Sequence, residues 1–264
     1  MKNKIVYSIL ALSLISTLSI AEGISTTDVE ATYSSKSGLS ESKEMKQNIN
    51  LGFASTTGNT KTLNINGKYD YSYTSTGYNN QALNVAFDSS VFFTKNNNIK
   101  DNEEYKANLG LEQFISNGWL GYTSINWLRN KFLNFDNKSA IGAGIGKELY
   151  NDEQHSLKVK LGVAYNMEQY SNAQAEHKFT SINEYIEYNN QLNKVSSLFL
   201  KIGALENFDN FKTDYEVTGV FGFSFAVAEN LSLTIEEEIR YDNLPPIGFK
   251  KTDTKSIVRL GYHF

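Results

Sequence analysis

The sequence predicts an all-β fold, a transmembrane antiparallel up-and-down β-barrel of about twelve strands. Three observations lead there. Apolar residues recur at every second position through most of the chain, the alternating runs are long, and the segments between them are by turns short and long. Side chains on a strand point alternately to opposite faces, so a period of two makes one face apolar and the other polar. From Leu63 the apolar face reads Leu63, Ile65, Tyr69, Tyr71 and Tyr73, with Asn64, Asn66, Lys68, Asp70 and Ser72 between. Strands of soluble sheets average roughly 5–6 residues, whereas these runs are long enough to cross a bilayer at a tilt.

The elements follow in chain order. The basic start MKNK, the apolar run from Ile5 to Ile20 and the small residues Ser19 and Ala21 describe a secretory signal peptide over residues 1–21. That run is shorter than the ~20 residues a spanning helix needs. Residues 22–42, rich in Ser, Thr, Gly and Glu, read as a flexible periplasmic tail, and residues 43–264 as the outer-membrane barrel. Strands are expected near 44–56, 60–74, 81–94, 103–116, 118–131, 138–150, 154–168, 176–190, 194–208, 211–227, 230–243 and 250–264. The fifth, sixth and eighth are the least regular. Leu120 and Tyr122 compete in parity with Trp119, Ile125 and Trp127, and AIGAGIG (140–146) is mostly glycine and alanine.

Long connections centre on TKNNNIKDN, RNKFLNFDNK, YSNAQAEHKF, ENFDNFKTD and DNLPPIGFKKT, and short ones on STGYNN, SNG, YNDEQ, NNQLN and AEN. Short periplasmic turns, longer external loops and an even strand count are features of outer-membrane barrels. In lipid, closure is what satisfies every backbone group of a sheet. The last strand alternates Val258, Leu260, Tyr262 and Phe264, and its final aromatics, Tyr262 and Phe264, are the expected signal to the barrel-assembly machinery. Lipid and lipopolysaccharide are the other expected partners.

Composition narrows the chemistry. The chain has no cysteine, which excludes disulfides, thiolate metal sites and a lipoprotein anchor. The net charge of −4 becomes −6 once Lys2 and Lys4 leave with the leader, a sign that argues against nucleic acid as a partner. Mean hydropathy is −0.40. That average alone describes a soluble protein; the period of the pattern says otherwise.

The run LGFASTTGNTKTLNI (51–65) has the glycines, hydroxyls and lysine of a phosphate-binding loop. Five residues rather than four separate Gly52 from Gly58, however, and Asn59 stands where the lysine belongs. Alternation on both sides makes TTGNT a hairpin tip, with Gly58-Asn59 suited to a tight turn.

The same stretch resembles the opening strand pair of the YdiY-type family of salt-induced outer-membrane proteins. FDNKSAIGAGIGKEL resembles that family's glycine-rich strand, and YDNLPPIGFKKTDTKSIVRLGYHF its Pro-Pro and terminal-aromatic ending. The resemblance implies a signal peptide, a barrel, outer-membrane residence and a tie to salt or osmotic stress. It implies no activity, no catalytic residues and no cofactor.

No catalytic or metal-binding constellation emerges. The histidines at 155, 177 and 263 have no zinc-ligand spacing, and Asp101-Asn102-Glu103-Glu104 lacks the order of a calcium loop. His155 reads as a solvated turn residue and His263 as an interior residue. His177 lies within ten residues of Ser171 and Ser181, which keeps a barrel-embedded lipid hydrolase as a minor alternative. Residues of polar parity are expected to line the lumen. They are Lys68, Asp70, Asp88, Lys106, Glu112, Lys158, Lys160, Glu216, Glu236, Glu238, Arg240 and Arg259, with Glu104, Glu168, Asp214 and Asp242 beside them. Such charges need water or partners. Either a packed ion-pair network plugs the barrel or a narrow pore runs through it, its acidic surplus favouring cations mildly. Glu237 departs from the pattern with lipid-facing parity, at an interface or on a bulge. The expected function is a non-enzymatic channel or envelope-structural protein. A secreted soluble barrel with its apolar face inward is the alternative.

Overall fold

The structure, a computed structural model, describes residues 44–56 and 62–264. The leader, the tail and the Gly58-Asn59 turn lie outside the described residues. Twelve strands follow one another: β1 (Glu44–Thr56), β2 (Thr62–Thr76), β3 (Ala82–Asn96), β4 (Ile99–Ser116), β5 (Trp119–Asn130), β6 (Phe135–Asn151), β7 (His155–Tyr170), β8 (His177–Asn193), β9 (Ser196–Asn207), β10 (Tyr215–Ala228), β11 (Leu231–Asp242) and β12 (Thr252–His263). Each pairs antiparallel with its neighbours in sequence, and β1 pairs with β12 to close the barrel. The closing seam is short, running from Asn48↔His263 to Leu51↔Leu260, and the N–H of Phe264 adds a bond of 3.0 Å to the carbonyl of Gln47.

Alternation resolves the faces. Outside, Leu51, Phe53, Leu161, Val163, Tyr165, Ile239, Val258 and Leu260 are exposed, as are Tyr262 and Phe264, whose rings meet edge to face. Inside lie charges and amides. This is the reverse of a water-soluble barrel and matches an apolar belt facing lipid. Trp119 sits near a strand end with the Lys147 ammonium 4.7 Å from its ring, an arrangement suited to a membrane interface.

The irregular strands have a physical cause. Leu120, Tyr122 and Leu128 of β5 point inward, while Trp119, Ile125 and Trp127 point outward. Both faces of β5 are therefore apolar because its inner side chains fill the lumen. In β8 the same holds for inward Phe179 and Tyr185 against outward Ile186. The glycine-rich β6 supplies the room. A Cβ on Gly144 would lie 2.3 Å from the Leu161 carbonyl oxygen and 2.7 Å from the Tyr122 ring, and one on Gly162 would lie 2.2 Å from the Tyr122 hydroxyl. The Tyr122 ring occupies the space that two side chains would need.

The two ends differ as expected of a barrel in an outer membrane, with two corrections. The first is that the expected long connection RNKFLNFDNK is only 131–134, shorter than the expected short one at 77–81. The connections after β7, β9 and β11 span 171–176, 208–214 and 243–251, and those after β8 and β10 span only 194–195 and 229–230. The expected long loop TKNNNIKDN is instead a two-residue turn: Asn97 and Asn98 both adopt positive φ, 49° and 65°. Asparagine tolerates that region, so the strands continue almost to the tip. At the other end, the turn after β6 is organised by Asp152. Its carboxylate accepts from the Tyr150 hydroxyl (2.7 Å) and from the N–H groups of Gln154 (2.8 Å) and His155 (2.6 Å). These bonds, that from Tyr150 first, hold its carboxyl below the ordinary value of 3.8.

Glu237 does lie on the outer face. No bulge re-aims it, because the β10–β11 register is regular there, and it accepts from the Ser256 hydroxyl across the ladder. Glu184 of β8, where alternation has little contrast, is another outward carboxylate.

Gly144→Val is expected to destabilise the barrel by about 3 kcal/mol through overpacking against Tyr122 and the β7 backbone, measured by urea unfolding in lipid vesicles. Ala143→Val on the outer face should change stability by less than about 0.5 kcal/mol. Equal responses would contradict this packing.

Candidate functional site

The candidate site is the barrel interior, where the pleat directs every second residue of all twelve strands. At the end bearing the longer loops it is roofed. Leu128, Leu133 and Phe135 are buried together, with Tyr170 and Phe249 packed on them. The roof is held from the backbone. The Asn130 side chain caps a short helical turn, Lys131–Leu133, by accepting from Phe132 N–H (3.0 Å) and Leu133 N–H (3.2 Å). Asn134, at φ 69°, then accepts Ser171 N–H on its carbonyl (2.8 Å) and Asn172 N–H on its side chain (3.1 Å), tying two loops together.

Beneath the roof lies an ion layer. The Lys138 ammonium is 3.1 Å from both Glu168 and Glu216, and the Arg240 guanidinium donates to Glu216 and, at 3.1 Å, to Asp242. Lys138 and Arg240 also lie 5.2 and 6.0 Å from the Phe135 ring. Lys138 on β6 and Glu216 on β10 are not neighbours in the sheet, so their contact crosses the lumen. Lys106 on β4 makes a second crossing: it is 3.2 Å from Glu104 on its own strand and 3.7 Å from Glu238 on β11. Lys106 and Glu238 are each 1% exposed, so this pair is shielded from water.

A third group joins β4 to β7. Glu112 receives Lys158 at 2.9 Å and Lys160 as well. The inner glycines of β6 leave the path across the intervening wall clear. Asp88 accepts from Asn108 (2.9 Å), Arg259 pairs with Glu236, and Lys68 pairs with Asp70 at 3.1 Å. Between these ions run amide chains, such as Asn130 to Asn102 and Glu104, and Asn166 through Ser181 and Asn183 to Tyr185.

All twelve charges named from parity therefore point inward, together with Glu104, Glu168 and Asp242. What parity missed are Lys138, Glu187 and Lys201, on strands or stretches whose alternation is masked by other inward residues. They add two cations and one anion, which narrows the acidic surplus of the interior by one charge without removing it.

The histidines divide. His177 faces two carboxylates, with Nδ1 3.7 Å from Glu168 and Nε2 3.9 Å from Asp214, and stacks on Phe179. The Ser181 hydroxyl is engaged by Asn166 and Asn183, so the Ser-His pairing that a hydrolase needs is not formed there. His155 is more enclosed than a solvated turn residue, bonding and stacking with Tyr188. His263 bonds Asn48 (2.6 Å) and Ser232 (2.9 Å) inside the seam. Among the described residues no group of three or more His, Cys, Asp or Glu is arranged to hold a metal ion.

An apolar exterior, a charged interior and a closed ring of twelve strands define the fold of outer-membrane β-barrels. The chain belongs to the family described as protein of unknown function, DUF481, which it matches over residues 49–264. This agrees with the YdiY-type resemblance of its motifs. No curated protein matches it. Among solved structures, the COG4313 outer-membrane channel from Pseudomonas putida F1 is similar at 9% identity and TM-score 0.50, covering 91% of this chain and 98% of that one. The translocator domain of the autotransporter NalP from Neisseria meningitidis is similar at 12% identity and TM-score 0.45, covering 89% and 91%. At 9% identity the likeness to the channel establishes the shared fold and nothing finer.

Replacing one member of a buried ion group strands the others. Glu112→Gln, which leaves two buried lysines without their carboxylate, is expected to cost about 3–5 kcal/mol in urea unfolding. Glu237→Gln on the outer face should be neutral or stabilising. A Glu112 variant as stable as the unaltered protein would contradict the interior network.

Proposed function

We propose that this protein resides in the outer membrane as a non-enzymatic barrel of the channel class, closed by its own side chains in the state seen. One observation carries the reading: two ion pairs cross the lumen, Lys106 with Glu238, almost fully buried, and Lys138 with Glu216, mostly buried. Rings of paired charge are the means by which channel interiors set selectivity and resistance. Here the pairing is nearly complete, so the resting barrel has high resistance. The remaining acidic surplus of the interior is small, so any cation preference of an opened barrel is mild in this reading. Lipid, lipopolysaccharide and the assembly machinery, through Tyr262 and Phe264 on the last strand, are its partners in this reading. The family resemblance adds a tie to salt or osmotic stress.

A permanently sealed, envelope-structural barrel is the second reading, favoured by the apolar roof over the ion layer. Planar-bilayer recordings separate the two. The unaltered protein is expected to be silent or to show only small steps, and Lys106→Ala with Glu238→Ala to raise the conductance several-fold while heat-modifiable migration on gels is kept. Silence of that folded variant would establish the sealed reading. A large steady conductance in the unaltered protein would overturn both.

A further inference from the structure

The interior is not filled uniformly. Toward the short-turn end the walls around Phe114, Leu120, Tyr122 and Tyr185 pack closely, but the opposite walls leave a cavity of about 520 Å3. Small-molecule sites fall in that size range. Its chemistry is mixed in a particular way. Glu187 lines it at 6% exposure, flanked in register by Lys158 on β7 and Lys201 on β9. One oxygen of Glu187 accepts from Asn189 at 3.2 Å; the other, Oε2, is buried with no hydrogen-bond partner. A buried acceptor of that kind calls for a donor.

One wall is aromatic. The Phe199 ring lies over Gly222, where a Cβ would come within 2.3 Å of its Cζ, so the glycine lets the ring lie against the strand. Phe199 lines the same cavity, with hydroxyls such as Ser224 and Thr234 close by.

We propose that this vestibule binds a neutral saccharide of one or two rings. Sugar hydroxyls both donate and accept, which suits Glu187 Oε2 between two lysines. A C–H face of the ring suits Phe199. A free anion would meet Glu187, Asp70 and Glu236, and a free cation would meet Lys158, Lys201 and Arg259, so neither has a wall of one sign to hold it. The site lies in the interior assigned above to a closed channel, but binding there does not depend on conduction.

The test is titration of the detergent-solubilised full chain with glucose and with maltose, followed by ligand-observed NMR. Saturable binding of at least one sugar at millimolar concentration is expected. Glu187→Gln should weaken it about tenfold, the loss of one hydrogen bond to a charged acceptor. Phe199→Leu should weaken it as well, and the outward Glu184→Gln should leave it unchanged. If Glu187→Gln fails to fold, Phe199→Leu carries the test. Absence of binding by both sugars, or Glu187 and Phe199 variants that bind as tightly as the unaltered protein, would overturn the proposal. Opening of the Lys106→Ala, Glu238→Ala variant without sugar binding by the unaltered protein would remove this inference and leave the channel reading; sugar binding with that variant silent would do the reverse.

Discussion

A sheet in lipid has no water to satisfy its edges, so everything in this protein depends on β1 meeting β12. That closure is narrow, four residue pairs from Asn48 to Leu51 against Leu260 to His263. It is reinforced from inside, where His263 bridges Asn48 on β1 and Ser232 on β11, and beyond the ladder, where Phe264 N–H reaches Gln47. Once the ring is closed, the pleat leaves no freedom in which residues face lipid and which face inward. Twelve strands then enclose a space that side chains reach across.

The interior follows from that geometry. Charges taken from water require partners, and in a ring of this size the partners can come from non-adjacent strands. Lys138 with Glu216 and Lys106 with Glu238 are such pairs. They bear on what the alternation leaves open, pore or plug, by setting ion pairs across the middle of the barrel. Small residues take part equally. Gly144 and Gly162 admit the Tyr122 ring, and Gly222 admits Phe199, so the weak-looking glycine stretch of β6 is a shaped part of the filling.

The sequence was most legible where one face is purely apolar, as in β2, β7 and β12. There the period of two identified strand, face and interior charge together. It was least legible where inner side chains are themselves apolar. Leu120, Tyr122, Phe179 and Tyr185 point inward, so the alternation in β5 and β8 loses contrast, and Glu187 went unnoticed with it. Lys138 was hidden beside the glycines of β6. Loop length was misread at Asn97-Asn98, where polar residues that look like a long loop in fact extend two strands to a tight turn. Contacts across the lumen were beyond reach, since periodicity gives the face of a residue and not its partner on a distant strand.

The measurement that tests the account most directly is a spin-label scan of single cysteines along β7, residues 158–166, in a chain that has no cysteine of its own. Labels at Leu161, Val163 and Tyr165 should be accessible to oxygen dissolved in the bilayer, and labels at Lys160, Ala164 and Asn166 should be shielded both from oxygen and from a water-soluble paramagnetic complex. Free access of the aqueous complex to the second set would contradict the closed interior. Access of the aqueous complex to the first set, or a period other than two, would contradict the barrel in lipid.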